Sequence, residues 1–182
     1  MIPDDAWLVV IDHQKIFADP VSQWCAPRFE QTAPVVARLA AHCGDRVVLT
    51  RWLPGKDRAG SWQAYFQAWP FADQPDDDPL FELVPTATDL TDRPPVDVNT
   101  FGKWGPQLAG VTGDHPHLVL AGVSTDCCVI STALAAADAG CTVTVVSDAC
   151  AGSSDENHVA ALQVMGLYAP QITVLDSATL FG

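Results

Sequence analysis

The stretch Leu120-Ala-Gly-Val-Ser-Thr-Asp-Cys-Cys-Val-Ile-Ser-Thr-Ala133 reads as a buried apolar strand running straight into a small-residue helix, with Cys128 in its first turn. Unpaired amides and the helix dipole favour negative charge there, and a thiol so placed drops from a pKa of about 8.5 into a range of roughly 3.5 to 7.5. That is how a thiol becomes a nucleophile. Ser124, Thr125 and Asp126 are all residues that cap helix starts. A second use stays open on these residues alone, that of a small buried core cysteine. Asp12 closes another apolar run, and Lys103 follows a third, Val96 to Val98. An acid, a base and a thiol at three strand ends converge only if the sheet sets those strands side by side.

The elements predicted along the chain allow that. Strands are expected over Ala6–Ile11, Arg46–Thr50, Val96–Val98, His117–Ala121, Thr142–Val146 and Ile172–Leu175. Helices are expected over Arg28–His42, Thr125–Ala139 with Gly140 closing it, and Asp155–Tyr168 with Ser153 or Ser154 as cap, plus one or two turns at Pro106–Val111. The alternation predicts an α/β fold, a doubly wound six-stranded parallel sheet in the order 3-2-1-4-5-6 with helices on both faces. Ligands bind beyond the carboxyl ends of such strands, where Asp12, Arg51, Asn99, Cys128 and Asp148 all fall. Between the second and third strands lies a long Trp- and Pro-rich stretch, Arg51 to Pro95, with one short helix expected at Ser61–Trp69; segments this long are usually functional.

Composition narrows the function classes. A chain of 182 residues, 48% hydrophobic and 17% charged, fits one domain over residues 1–182. Its net charge of −13 argues against nucleic acid, because nothing here would release counterions from a phosphate backbone. The longest apolar runs are strand length, not the 18 or more residues of a membrane span, and Met1-Ile-Pro-Asp-Asp has no basic region like that of a signal peptide. A cytoplasmic protein with six reduced cysteines is expected. No CxxC pair suggests zinc. The acidic run Asp76-Asp77-Asp78 reads as a solvated loop.

Val9-Val-Ile-Asp-His-Gln-Lys-Ile-Phe17 resembles a DxQxxF opening segment, and Gly122-Val-Ser-Thr-Asp-Cys-Cys-Val-Ile-Ser-Thr-Ala133 a GVxTDxCVxxTA nucleophile turn. Both mark the isochorismatase-like cysteine hydrolases, which include nicotinamidases and N-carbamoylsarcosine amidase. Ala139-Gly-Cys-Thr-Val-Thr-Val-Val-Ser-Asp-Ala149 is similar to the family's following strand. The resemblance implies that Cys128, directly before Val-x-x-Thr-Ala, is the nucleophile and that Cys127 occupies a variable position. It implies that Asp12 is the general base, a role that suits a carboxylate within reach of a thiol; the alternative is a strand-end carboxylate capping a neighbouring helix. The family's third catalytic residue is a Lys directly after the third strand, near Asn99 here. Of the three lysines, Lys15, Lys56 and Lys103, only Lys103 lies in that region. A tight turn at Gly102 would bring its stem back to Asp12 and Cys128; otherwise it is a surface Lys beside Trp104. The resemblance also implies a cis peptide at Val123-Ser124, with the amides of Ser124 and Cys128 as oxyanion donors.

Nicotinamidases carry a metal-binding Asp-x-His after the second strand, where this chain has Thr50-Arg-Trp-Leu-Pro54 and then no His until His115. No metal and no cofactor are therefore expected. Relatives that hydrolyse isochorismate generally lack the catalytic Cys. The implied function is a metal-independent cysteine amidase that cleaves the C–N bond of an amide, carbamoyl or lactam compound through a thioester. Phe17, Trp24, Trp52, Phe101 and Trp104 are the residues expected to wall a pocket for that small molecule. Trp62 and Trp69 are assigned to core beneath the long segment. Arg51 is left between a substrate carboxylate and the acidic loop. A homo-oligomer, most simply a dimer, is the expected assembly. Two other classes remain: a non-catalytic binding or regulatory protein of the same fold, and a redox protein using Cys127-Cys128, which disulfide geometry disfavours.

Overall fold

Runs of Val, Leu and Ile with both faces buried form strands only where helices cover both sides of a sheet. In the computed structural model, which describes residues 2–181, they do so as β1 (Trp7–Ile11), β2 (Val47–Trp52), β3 (Val96–Val98), β4 (His117–Val123), β5 (Thr142–Ala151) and β6 (Ile172–Leu175). All neighbours pair in parallel, in the order β3-β2-β1-β4-β5-β6. The order reverses between β1 and β4, and the crevice beyond their carboxyl ends is where ligands bind in such sheets.

Eight α-helical segments connect the strands among the described residues: α1 (Lys15–Ala18), α2 (Phe29–Cys43), α3 (Ser61–Ala68), α4 (Pro85–Thr88), α5 (Pro106–Thr112), α6 (Ile130–Asp138), α7 (Asp155–Gly166) and α8 (Ser177–Phe181). Alternation along each strand splits the core in two. Leu8, Val10, Val119 and Ala121 pack with Val36 and Leu39 of α2 and Leu180 of α8. Val9, Ile11, Leu118 and Leu120 pack with Leu108 of α5, Ala133 of α6 and Met165 of α7. A third cluster, including Phe17, Trp52, Phe66, Phe81 and Val123, sits at the strand ends under the long segment.

Several boundaries differ from the expected ones. β2 and β4 each run two residues further, and β5 five. Along β5 the pairing jumps from Leu120↔Val145 to Gly122↔Cys150, so Ser147 and Asp148 bulge out of the ladder. Asp148 accepts from the amide and hydroxyl of Ser177 (2.8 and 2.6 Å), holding α8, so its place at the sheet edge is structural. The long segment holds α3 as expected, and also α4 and two 3₁₀ turns at Pro70–Ala72 and Pro79–Phe81. Asp78 of the acidic run caps the second of these by accepting from the Leu80 amide (2.9 Å).

Candidate active site

β1 ends at Asp12, whose φ of +51° is the only positive value among the described non-glycine residues. Asp tolerates that left-handed conformation better than most side chains, and it turns the chain off the sheet at once. The backbone of β4 passes against the same point. Gly122 has φ +111°, and a Cβ there would lie 2.1 Å from the Ile11 carbonyl oxygen, so no other residue fits. Asp12 is fully buried, and its Oδ1 accepts from the Thr50 hydroxyl at the end of β2 (2.8 Å).

Lys103 meets it from the other side. Its ammonium lies 2.9 Å from Asp12 Oδ2, with both side chains wholly shielded from solvent. Burial of two charges costs several kcal/mol per ion, and such a pair persists because each charge compensates the other. The ammonium also donates to the Thr100 carbonyl (3.0 Å), while the Lys103 amide donates to Thr132 Oγ1 (2.9 Å) and Thr132 in turn donates to the Cys128 carbonyl (2.6 Å). The lysine is thus tied to the segment that carries the thiol. The path differs from the expected turn at Gly102. The chain bends over Asn99–Phe101, and Gly102 presses against the Ser131 carbonyl, where a Cβ would sit at 3.1 Å. Asp12 Oδ2 has no aligned hydrogen-bond donor despite its ion pair, which leaves a lone pair for a proton.

The thiol sits on a π-helical turn, Thr125–Val129, that precedes α6, rather than on one continuous helix. The Ser124 carbonyl closes it by accepting from Cys127 and Val129 (3.0 and 3.1 Å), and the Val123–Ser124 peptide is cis. The expected capping by Ser124, Thr125 and Asp126 is replaced by ties to the neighbouring helix α7. Thr125 Oγ1 bonds His158 Nδ1 (2.8 Å), and Asp126 accepts from the Ser153 amide and hydroxyl (2.8 and 2.6 Å). Ser154, not Ser153, caps α7. These polar side chains reach the start of α7 because Gly152 brings the two chains together; a Cβ there would meet His158 and Asp126 inside 3 Å.

Electrostatics at the thiols depart from the helix-start expectation. The hydrogen bond to Cys127, burial and the Asp12 carboxylate push Cys128 well above the ordinary cysteine range, with Lys103 opposing them. The same contact pulls the half-buried Cys127 below it. The Cys127 contact and burial together outweigh what a helix start offers, so Cys128 favours its protonated form and needs a base.

Above Cys128 opens a cavity of about 330 Å³. Phe17, Trp24, Trp52 and Phe101 line it as expected, joined by Tyr65 and Trp69. Ser124, Cys127 and Cys128 form its floor, and Gln23, Cys25, Asp126 and Ser153 complete the lining. Trp24 is its organising ring, 5.2 Å from Trp52, 5.8 Å from Tyr65 and 5.9 Å from Trp69 between centroids. Two expectations are corrected here. Trp104 does not line this cavity, because the Lys103–Thr132 bond lays the chain along α6 and turns Trp104 onto the core. Trp69 is wall, not core, whereas Trp62 lies outside the lining, against Tyr65 and Phe101. Arg51 forks onto Asp97 of β3 (2.7 and 2.6 Å), with Asp76 of the acidic run also acting on its charge, and it does not line the cavity. Gln14 clamps the site's base through the Trp52 amide and the Trp52 and Phe81 carbonyls (2.8–2.9 Å). Among the described residues no three His, Cys, Asp or Glu side chains converge as a metal would require.

Residues 6–178 match the isochorismatase domain model. The chain belongs to the isochorismatase family. Solved structures of similar fold include an isochorismatase family protein from Desulfovibrio vulgaris, at 21% identity and a TM-score of 0.78 over 97% of this chain and 96% of that one. A cysteine hydrolase from Pseudomonas syringae is 18% identical, with a TM-score of 0.77 over 99% and 92%. A nicotinamidase from Bacillus subtilis is 18% identical, with a TM-score of 0.73 over 94% and 99%. No curated protein matches the sequence closely enough to count as a relative. The structure brings Asp12, Lys103 and Cys128 to one place at the β1/β4 crevice. Sequence reasoning missed Thr132, Tyr65 and Trp69; Thr132 belongs to the Thr-Ala of the nucleophile motif, which was the signal available for it.

Proposed function

We propose that this family member is a metal-independent cysteine hydrolase that cleaves the C–N bond of a small amide, carbamoyl or lactam compound. The observation that carries the reading is the buried Asp12–Lys103 pair at 2.9 Å beneath a cavity whose floor is Cys128. A fully dehydrated ion pair costs stability, and a thiol that rests protonated needs what that pair offers. In the reaction, Asp12 takes the Cys128 proton as the sulfur attacks the carbonyl carbon, and the C=O electrons move onto oxygen. The amides of Ser124 and Cys128 are the candidate donors to that oxyanion. Collapse re-forms the carbonyl and breaks the C–N bond, with the Asp12 proton passing to the leaving nitrogen. Asp12 then takes a proton from water as its oxygen attacks the thioester; the sulfur leaves and recovers that proton, releasing the acid. Lys103 stabilises the carboxylate and the developing thiolate.

The test is ammonia release from a panel of small primary amides and carbamoyl compounds, with and without a chelator. Turnover that survives the chelator supports the reading, and a stoichiometric metal whose removal stops turnover contradicts it. The reading includes a dimer in the cytoplasm. Val159 and Val164 on α7, with Leu167 and Tyr168 just beyond it, present apolar side chains to solvent, and all six cysteines are free. Light scattering that returns the mass of one chain at micromolar concentration would count against the dimer. Among the described residues no helix is long and apolar enough to cross a membrane.

A further inference from the structure

We infer that the aromatic cavity selects its substrate by charge: it admits a compound whose non-reacting part is uncharged or cationic and rejects one that carries a carboxylate or phosphate. The inference rests on the reading that Cys128 attacks from the cavity floor, and it concerns what occupies the space above. Among the described lining residues there is no Lys, Arg or His, and the only ionised side chain is Asp126. That carboxylate is held in place by both donors of Ser153 and stays at the wall.

Four basic side chains around the site are already committed. Lys103 is spent on Asp12 and the Thr100 carbonyl, beneath the floor. Arg51 is forked onto Asp97. Arg58 is paired with Asp73 and stacked over Phe66, 4.0 Å from its centroid, and Arg28 is paired with Asp155. An entering anion would shed its water and find no positive partner, the costliest form of desolvation. It would also meet the Asp126 carboxylate and the field of a chain carrying −13. A cation meets the same surroundings as attraction, because aromatic rings around a fixed carboxylate are what bind quaternary ammonium groups. A neutral body loses nothing.

Three para-substituted benzamides separate charge from shape: 4-tert-butylbenzamide, its isostere 4-(trimethylammonio)benzamide, and 4-carbamoylbenzoate. Their binding to Cys128→Ala, which makes no bond to them, is read by tryptophan fluorescence. The cation is expected to bind at least as tightly as the tert-butyl compound, and the carboxylate at least about tenfold more weakly. Gln23 is an exposed lining residue, and Gln23→Arg supplies the missing cation at the rim. It is expected to tighten 4-carbamoylbenzoate about tenfold relative to the tert-butyl compound. A carboxylate that binds as well as its neutral counterpart in the parent protein overturns the inference. The expected binding order without ammonia release by the wild-type enzyme would uphold the charge filter and sink the proposed chemistry.

Discussion

The floor and the wall of the site are built by different means. Under Cys128, Asp12, Thr50, Lys103 and Thr132 stand on strands, a helix and one short connection, and each is tied to another by a hydrogen bond or ion pair of 2.6–2.9 Å. Above it, Trp24, Tyr65, Trp69 and Phe101 come from irregular stretches and a short helix, and hold one another mainly by ring contacts at 5–6 Å. Directional bonds on a sheet fix atoms to within tenths of an ångström, as proton transfer demands; ring contacts between loops fix a volume. Chemistry therefore belongs to the floor and selection to the wall, and variants in the two regions should fail differently.

The largest loss is expected at Asp12. Asn keeps the left-handed backbone and the volume while removing the base, so Asp12→Asn should lower kcat by about 10²–10⁴ with KM little changed. A drop confined to KM would move Asp12 out of the chemistry. Lys103→Ala should cost stability as well as rate, because it leaves Asp12 buried without its counter-charge; about 3–5 kcal/mol is expected from urea midpoints. In variants that stay folded the Cys128 thiol should titrate higher still, since Lys103 pulls it down. Lys103→Arg should restore the thiol better than it restores turnover, which also needs the ammonium's placement.

A buried histidine outside the floor, packed against Phe29 and Thr32, carries a pH signature. His13, beside Asp12, is held by burial at a pKa of about 4 against 6.5 when exposed. The unfolded chain therefore binds the proton first, and stability is full above pH 6.5 and falls as pH drops through 4, by about 3 kcal/mol in all. Urea midpoints across that window should show the slope, and His13→Gln should remove this part of it. The smallest effect is expected at the wall: Trp69→Leu trades a ring for a smaller apolar body and should raise KM by about tenfold with kcat within a few fold. A matching collapse of kcat would erase the distinction between floor and wall.

The floor was also the part most legible in the sequence. The strands, and the positions of Asp12 and Cys128 at their ends, follow from buried apolar runs, because a parallel strand is local in its signal, whereas the roles of both residues came from the family resemblance. Lys103 was legible as a residue, but its path was not: the bend at Asn99–Phe101 and the contact with Ser131 are made across the chain. The same holds for β5, whose continuation past Val146 is disguised by the polar bulge at Ser147 and Asp148, and for α8, which is anchored by Asp148. Trp69 and Trp104 exchanged their expected places because ring position in irregular segments is set by tertiary packing, which no periodicity encodes. The electrostatics of Cys128 were hidden for a related reason: a helix start is visible in sequence, and the contact with Cys127 and the burial that oppose it are not.

Two adjacent thiols at the floor make the central claim directly testable. Cys127 is the more acidic and the more exposed, so reactivity toward an alkylating reagent would favour it, while the aligned motif favours Cys128. Ammonia release by Cys128→Ala and Cys127→Ala, measured on the best amide of the panel with acyl-enzyme trapping and peptide mass spectrometry, separates them. The account predicts that Cys128→Ala is folded and inactive, that Cys127→Ala keeps most of its turnover, and that the trapped acyl group sits on Cys128. Turnover retained in Cys128→Ala, or an acyl group found on Cys127, would contradict it.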